Sequence, residues 1–140
     1  LALIAREKAG IMKAGRPAFV SSQPDEAMEV LEATARRVGA VMNVAPPLVE
    51  LCAGHDPELG LDGVYQRSNA ALALCLARAF MALVRHGGVA SGNSVDVAVA
   101  EALRPGALRS PSAHGLKAAR WPGRAMELLV ERATVAEMDS

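Results

Sequence analysis

The chain has 140 residues, 15 basic and 15 acidic side chains, a formal net charge of zero and 51% hydrophobic residues. Balanced charge excludes backbone-led nucleic-acid binding and a polybasic membrane patch, and the apolar content excludes intrinsic disorder. The longest apolar run, residues 70–84, contains Arg78 and is shorter than the ~20 residues that a bilayer span needs. The two cysteines are too few for a disulfide framework and suit a reducing compartment.

The first third of the chain predicts a strand–helix–strand unit behind a short helix. Residues 1–8 have a helical pattern, and Pro17 opens a strand over 18–21. Ser22 is expected to cap the next helix, which ends at Gly39 before a second strand at 40–45. A strand–helix–strand order with short connections predicts a parallel sheet with helices on its faces, so the expected fold class is α/β.

A long apolar helix dominates the middle of the chain. Residues 46–63 look like a loop with one short strand, and a helix is then predicted from Gln66 to Arg85. Because this helix is apolar on most sides, we expect it to be largely buried. Its expected core face comprises Leu72, Leu76, Phe80 and Leu83.

The last part of the chain predicts a change of domain. A shorter helix from Ser94 to Leu103 is followed by a connector rich in serine, proline and glycine. We therefore divide the chain into a first domain at 1–108, a linker at 109–117 and the start of a second domain at 118–140. Two strands are expected in the last part, at 125–130 and 134–138. Both ends look cut, so we expect an internal piece of a larger protein.

Common catalytic motifs are absent from the sequence. It has no GxxxxGK[ST] phosphate loop, and the glycine-rich stretch at 87–92 follows a helix, where a phosphate-binding loop would follow a strand. His55, His86 and His114 lack the spacing of metal ligands. Cys52 and Cys75 have no CxxC arrangement, so we expect both to be structural.

Four segments, in order along the chain, resemble the folylpolyglutamate synthases, the folate branch of the Mur-ligase superfamily. They are IAREKAGIMK at 4–13, QPDEA at 23–27, QRSNAALAL at 66–74 and WPGR at 121–124. The resemblance implies the back half of a Mur-ligase-type ATPase domain, with a parallel sheet and flanking helices, and the start of a C-terminal α/β domain. Tyr65 departs from the histidine that the eukaryotic-type members have before QRSNAA.

The resemblance also implies an ATP-dependent ligase that adds glutamate to the γ-carboxylate of a folate polyglutamate. ATP phosphorylates the carboxylate, and the glutamate amine attacks the acyl phosphate. Magnesium is the implied metal, with potassium or another monovalent cation as a further cofactor. The implied substrates are folate polyglutamate, L-glutamate and ATP, and we expect a monomer with no nucleic-acid or membrane partner, in the cytoplasm or alternatively the mitochondrion.

Four residues match positions of the family's site. Lys8 matches the lysine that is carbamylated and helps to position magnesium, and burial beside Ile4 and Ile11 would favour the neutral amine that reacts with carbon dioxide. Asn69 matches an asparagine that contacts the nucleotide. Arg124 matches an arginine that reaches the ATP phosphates, and Asp139 matches less well an aspartate of the nucleotide site. As structural alternatives, Lys8 or Asn69 bonds helix-end backbone groups and Arg124 is a surface residue.

Two other functions stay open on the sequence alone. A dihydrofolate synthase, or a dual-activity enzyme, of the same family would have the same segments. A degenerate piece without activity, acting at most as an interaction module, would have them too. The family's phosphate loop is absent from these 140 residues, so we expect the piece alone to be inactive.

Overall fold

The computed structural model describes residues 1–87 and 94–120. In chain order the elements are α1 (Ala2–Ala9), β1 (Pro17–Val20), α2 (Asp25–Val38), β2 (Val41–Val44), α3 (Leu48–Leu51), α4 (Gln66–Arg85), α5 (Ser94–Leu103) and α6 (Ser110–Ala118). The two strands predicted at 125–130 and 134–138, together with Arg124 and Asp139, lie outside the described residues.

The predicted strand–helix–strand unit is confirmed. β1 and β2 pair in parallel, with Pro17 opposite Val41 and Val20 opposite Val44, and α2 connects them. Gly39 ends α2 in the left-handed conformation, with φ 77°, which glycine adopts without steric cost. The cap predicted at Ser22 is wrong: α2 begins after Pro24 with no side-chain cap.

Helices lie on both faces of this two-stranded sheet. Successive strand residues point to opposite faces. Accordingly, Ala18 and Val20 pack against one apolar cluster, formed by α1 and α2, while Phe19 packs against a second, larger one. The larger cluster is built by α3, α4 and α5. The described residues therefore form a helix–sheet–helix arrangement of the α/β class.

The bounds predicted for α4 are confirmed, and the predicted core residue Leu83 is half-buried against the larger cluster. The predicted core face is wrong at Leu76 and Phe80. Leu76 and Phe80 are 51% and 65% exposed. The buried face consists mostly of small residues: Ala70, Ala71, Leu74, Cys75, Ala79 and Ala82. The neighbouring α5 contributes Ala98 and Ala102 to the same cluster. Small side chains on both helices allow a close approach, while Leu76 and Phe80 point away from the contact.

By length and composition alone, α4 could cross a membrane, because it is an apolar helix of 20 residues. The apolar run that appeared too short in the sequence is thus part of a longer helix. A core helix of a soluble protein has the same length and composition. Within the described residues, α4 packs against α5 and α3, and its Arg78 side chain donates hydrogen bonds to carbonyl oxygens of Leu51 and Arg104.

Two segments expected to be irregular or extended are helical. The short strand expected within 46–63 is wrong, because Leu48 to Leu51 forms α3 and buries both of those leucines. The segment expected to be a linker contains α6, whose Leu116 carbonyl accepts a hydrogen bond from the Gly60 N–H at 2.9 Å. The division into domains at 109–117 stays a prediction.

Candidate functional site

The carboxyl ends of β1 and β2 meet at a pocket of ≈ 460 Å³. Ser21 and Ser22, which follow β1, line it together with Ala45 and Pro46, which follow β2. In open α/β sheets, ligands bind in the crevice outside the carboxyl ends of the strands. We therefore take this pocket, called here the strand-end pocket, as the centre of the candidate site.

The first turn of α4 forms one wall of the strand-end pocket, through Arg67 and Ser68. No side chain caps this end of the helix, and the N-terminal end of a long helix carries a partial positive charge and backbone N–H donors. Arg67 adds a full positive charge and pairs with Asp56, which also lines the pocket. The wall can therefore attract an anionic group. To bind that group, Arg67 would release the carboxylate of Asp56.

Asn69 lies on the same turn but does not line the strand-end pocket. Its side chain is exposed, and Nδ2 donates a hydrogen bond to Oε1 of Gln66 at 3.1 Å. Because Arg67, Ser68 and Ala71 form the face of α4 that lines the pocket, the helical repeat directs Asn69 away from it. Its predicted contact with a nucleotide stays a prediction.

Lys8 lies in a second depression of ≈ 300 Å³, here called the edge groove. The groove is lined by Leu1, Ile4, Ala5, Lys8, Val20, Ser21, Gln23, Ala27, Leu31 and Leu72. The burial expected for Lys8 beside Ile4 and Ile11 is wrong, because all three residues are exposed. The reason is that α1 has only two turns and buries Ala5 and Ala9, leaving its other faces to solvent.

Ser21 connects the two depressions, because it lines both the strand-end pocket and the edge groove. Lys8 is on the groove side of this serine, and the first turn of α4 is on the pocket side. Two of the sequence-predicted segments, at 4–13 and 66–74, thus contribute residues to depressions that share Ser21. The two segments lie more than 50 positions apart in the chain, and whether Lys8 and Asn69 share one site stays a prediction.

The described residues do not form a metal site by themselves. Among them, no group of three or more histidine, cysteine, aspartate or glutamate side chains is close enough to hold a metal ion. Both cysteines are buried and free, as expected for structural residues. Burial raises the pKa of the Cys52 and Cys75 thiols, and the positive charge of Arg78 partly offsets that rise.

Several lining residues of the strand-end pocket were not predicted from the sequence as site residues. The positions of Ser21 and Pro46 directly after strands are a signal that could have identified them, since strand ends converge in a parallel sheet. Asp56 has no local signal, because its pairing with Arg67 joins a loop to a helix 11 residues further on. Arg67 and Ser68 belong to the QRSNAALAL segment, where the resemblance implies a site role only for Asn69.

Comparison with curated proteins finds relatives over most of this chain. "Folylpolyglutamate synthase, mitochondrial" of Bos taurus is 38% identical over 125 residues, which are 86% of this chain and 21% of the relative. The protein of the same name from Homo sapiens is 36% identical over 129 residues, 89% of this chain and 22% of the relative. "Folylpolyglutamate synthase" of Arabidopsis thaliana is 51% identical over 78 residues, 55% of this chain and 13% of the relative.

The chain thus spans about a fifth of the length of the first two of these relatives. No family model matches the chain, and no solved structure matches it.

Proposed function

We propose that this chain, a homologue of one segment of the folylpolyglutamate synthases, belongs to an enzyme that adds glutamate to a folate polyglutamate. The observation that carries the proposal is the identity of 38% across 86% of the chain. The geometry agrees with it, because a pocket with a helix N-terminus and an arginine lies where parallel strands end. The names of the mammalian relatives include the mitochondrion, which we propose as a location besides the cytoplasm.

The proposed reaction has two steps. The γ-carboxylate oxygen of the folate attacks the terminal phosphorus of ATP, forming an acyl phosphate and releasing ADP. The amine of L-glutamate then attacks the acyl carbon, an amide bond forms, and phosphate leaves as the amine loses a proton. Both steps gather negative oxygen atoms, so the site needs positive charge and backbone donors around them.

The strand-end pocket supplies part of that requirement. The N-terminal end of α4 and the guanidinium of Arg67 would attract the anionic nucleotide. Asn69, which does not line this pocket, is proposed as a nucleotide contact on the resemblance alone. Arg124 and Asp139 are proposed to complete the nucleotide site from outside the described residues. This division of roles rests on the resemblance for Asn69, Arg124 and Asp139, and on the pocket geometry for Arg67.

Lys8 is proposed to be carbamylated, by attack of its neutral amine on carbon dioxide with loss of a proton. The product is an anionic group that would help to hold magnesium, whose role when bound is to offset phosphate charge. Because the described residues do not form a metal site by themselves, the other ligands would have to come from elsewhere in the protein. We derive no step through the metal from this chain.

The test is glutamate incorporation by the complete protein. Labelled L-glutamate, ATP and a reduced folate are the substrates, and the Lys8→Ala variant is compared with wild type. We expect a loss of turnover of at least ~100-fold, since removal of one electrostatic group in a site costs roughly this much. Lys117→Ala is the matched control, because Lys117 is an exposed lysine that pairs with Glu58 at 2.8 Å and lines neither depression.

Normal turnover in Lys8→Ala would contradict the role given to Lys8. A complete wild-type protein that incorporates no glutamate would contradict the proposed function itself. The same assay with dihydropteroate as the acceptor tests the alternative function. Glutamylation of that compound would identify dihydrofolate synthase activity.

A further inference from the structure

The loop between α3 and α4 places a carboxylate in the strand-end pocket. Asp56 lines the pocket and pairs with Arg67, a cation on the pocket wall. The carboxylate therefore occupies the guanidinium donors that an anionic ligand would need, so Asp56 competes with that ligand. Both side chains are half-exposed. Ion pairs of this kind contribute little stability, so a ligand can displace Asp56.

The same loop is attached to α6 four residues further along the chain. The Gly60 N–H donates to the Leu116 carbonyl at 2.9 Å, and the Gly60 carbonyl accepts a hydrogen bond from Nη1 of Arg120 at 3.2 Å. The nearby pair of Glu58 with Lys117 is exposed, so we expect it to contribute little. The backbone of Gly60 is thus the main attachment of this loop to α6.

The contact at Gly60 has no space for a side chain. A Cβ atom at this position would overlap the carbonyl oxygen of Lys117 and the guanidinium of Arg120, and it would lie 2.6 Å from the carbonyl oxygen of Ala119. Backbone atoms cannot move aside as the end of a flexible side chain can. At Gly115, within α6, an added Cβ would meet no atom of the described residues within 4 Å. Alanine at position 60 would therefore push the loop and α6 apart, whereas alanine at position 115 would not.

The connection between Gly60 and Asp56 is short. Three residues separate them, so the two positions are at most ~14 Å apart. Pro57 fixes one backbone dihedral of this connection, and Leu59 packs half-buried against the larger cluster. Because few dihedrals can absorb a displacement, we expect a shift of Gly60 to move the carboxylate of Asp56 relative to Arg67.

We propose that Gly60 is a positioning residue through which α6 holds Asp56 against Arg67 and so weakens the binding of an anionic ligand. The proposal rests on the proposed function, because it takes Arg67 as a cation that meets the nucleotide phosphates. Coupling between two contacts is reciprocal. A ligand that displaces Asp56 therefore also weakens the attachment of the loop to α6.

Calorimetric titration of the complete protein with inorganic pyrophosphate tests the competition. Arg67→Met measures binding elsewhere in the protein, and the binding that this variant lacks is assigned to the pocket. We expect Asp56→Asn to tighten pocket binding about 5-fold, because a repelling charge is removed and Arg67 is freed. Glu58→Gln is the matched control: it removes the same charge from the same loop but leaves Arg67 paired, so the affinity should change less than ~2-fold.

Two results of this titration would overturn the inference. One is an effect of Asp56→Asn no larger than that of Glu58→Gln. The other is pyrophosphate binding that Arg67→Met leaves unchanged, which would also contradict the role of Arg67 in the proposed function. Neither measurement requires ligation, so a protein that shows the expected affinities but incorporates no glutamate would contradict the proposed function alone.

A second set of variants tests the positioning role of Gly60. We expect Gly60→Ala to tighten pocket binding by about 2- to 5-fold, with Gly115→Ala unchanged as the control. In the Asp56→Asn background, Gly60→Ala should add nothing, because the competitor is already removed. A merely structural role of Gly60 would not depend on Asp56 in this way.

The fold should tolerate these changes, because α6 has no fully buried residue. Circular dichroism checks this point. Arg120→Met repeats the test without an added Cβ, since it removes only the donor to the Gly60 carbonyl, and we expect a smaller shift in the same direction. Pocket affinities of Gly60→Ala and Arg120→Met equal to or weaker than that of Gly115→Ala, or effects of the same size in the Asp56→Asn background, would overturn the positioning role.

Discussion

At the scale of single residues, Arg78 shows how one side chain fixes the relative positions of three helices. It projects from α4, and its guanidinium donates to the Arg104 carbonyl at 2.9 Å and to the Leu51 carbonyl at 3.3 Å. These carbonyls lie at the end of α3 and just after α5, where backbone acceptors lack partners within the helix. The Leu51 carbonyl also accepts a hydrogen bond from the Gly106 N–H at 3.2 Å, so Arg78 is a second donor there and connects both helix ends to α4.

We expect Arg78→Met to lower the free energy of unfolding of the 140-residue chain by about 1.5–3 kcal/mol, the contribution of hydrogen bonds to a charged group. Methionine keeps the apolar stem, so the loss reports the lost donors. Arg85→Met is the control on the same helix, where an exposed pair with Glu101 contributes at most about 1 kcal/mol. Urea unfolding followed by circular dichroism measures both, and equal losses would contradict the role of Arg78.

At the scale of elements, α4 shows why helix bounds can be predicted from sequence more reliably than the face that a helix buries. Its length follows from an apolar run that ends at the turn around Gly87. The choice of face depends on α5, whose Ala98 and Ala102 accept close contact with small side chains. A pattern of large apolar residues spaced by four, such as Leu72, Leu76 and Phe80, does not contain that information.

The two faces of α4 predict different costs of truncation in the 140-residue chain. Leu74 is 5% exposed and lies in the larger cluster, so Leu74→Ala should cost about 2–5 kcal/mol of unfolding free energy. Leu76→Ala removes a half-exposed side chain of the same type and should cost less than about 1 kcal/mol. Thermal melts compare the two variants. A cost for Leu76→Ala equal to that of Leu74→Ala would show that the helix buries the opposite face.

The elements that the sequence analysis missed have a common physical origin. α3 has four residues, too few to show a helical period, and its Leu48 and Leu51 become a helix face only when they pack on α4. α6 is rich in serine and proline, and a distant hydrogen bond from Gly60 to Leu116 fixes it. The same contrast holds for the candidate site. Local sequence segments indicated Lys8 and Asn69, whereas the Asp56–Arg67 pair forms only through tertiary contact and was not predicted.

At the scale of the whole molecule, the described residues form one side of the candidate site. They provide the carboxyl ends of two parallel strands, the start of α4 and a lysine, Lys8, that lines the edge groove. A triphosphate site also needs a nest of backbone N–H groups, usually with a lysine, and carboxylates for magnesium. Across residues 1–87 and 94–120, no cluster of carboxylates meets that last need.

We therefore predict that the 140 residues alone bind Mg-ATP weakly and do not catalyse glutamate ligation. The cation nearest the pocket, Arg67, is already paired with Asp56, so an incoming phosphate gains less than from an unpaired arginine. Calorimetric titration with Mg-ATP and glutamate incorporation into a reduced folate would measure both properties, with the complete protein as the positive control. Tight binding together with glutamylation by the purified 140-residue chain would contradict the prediction. It would mean that residues 88–93 and 121–140, added to the strand-end pocket, suffice for a triphosphate site.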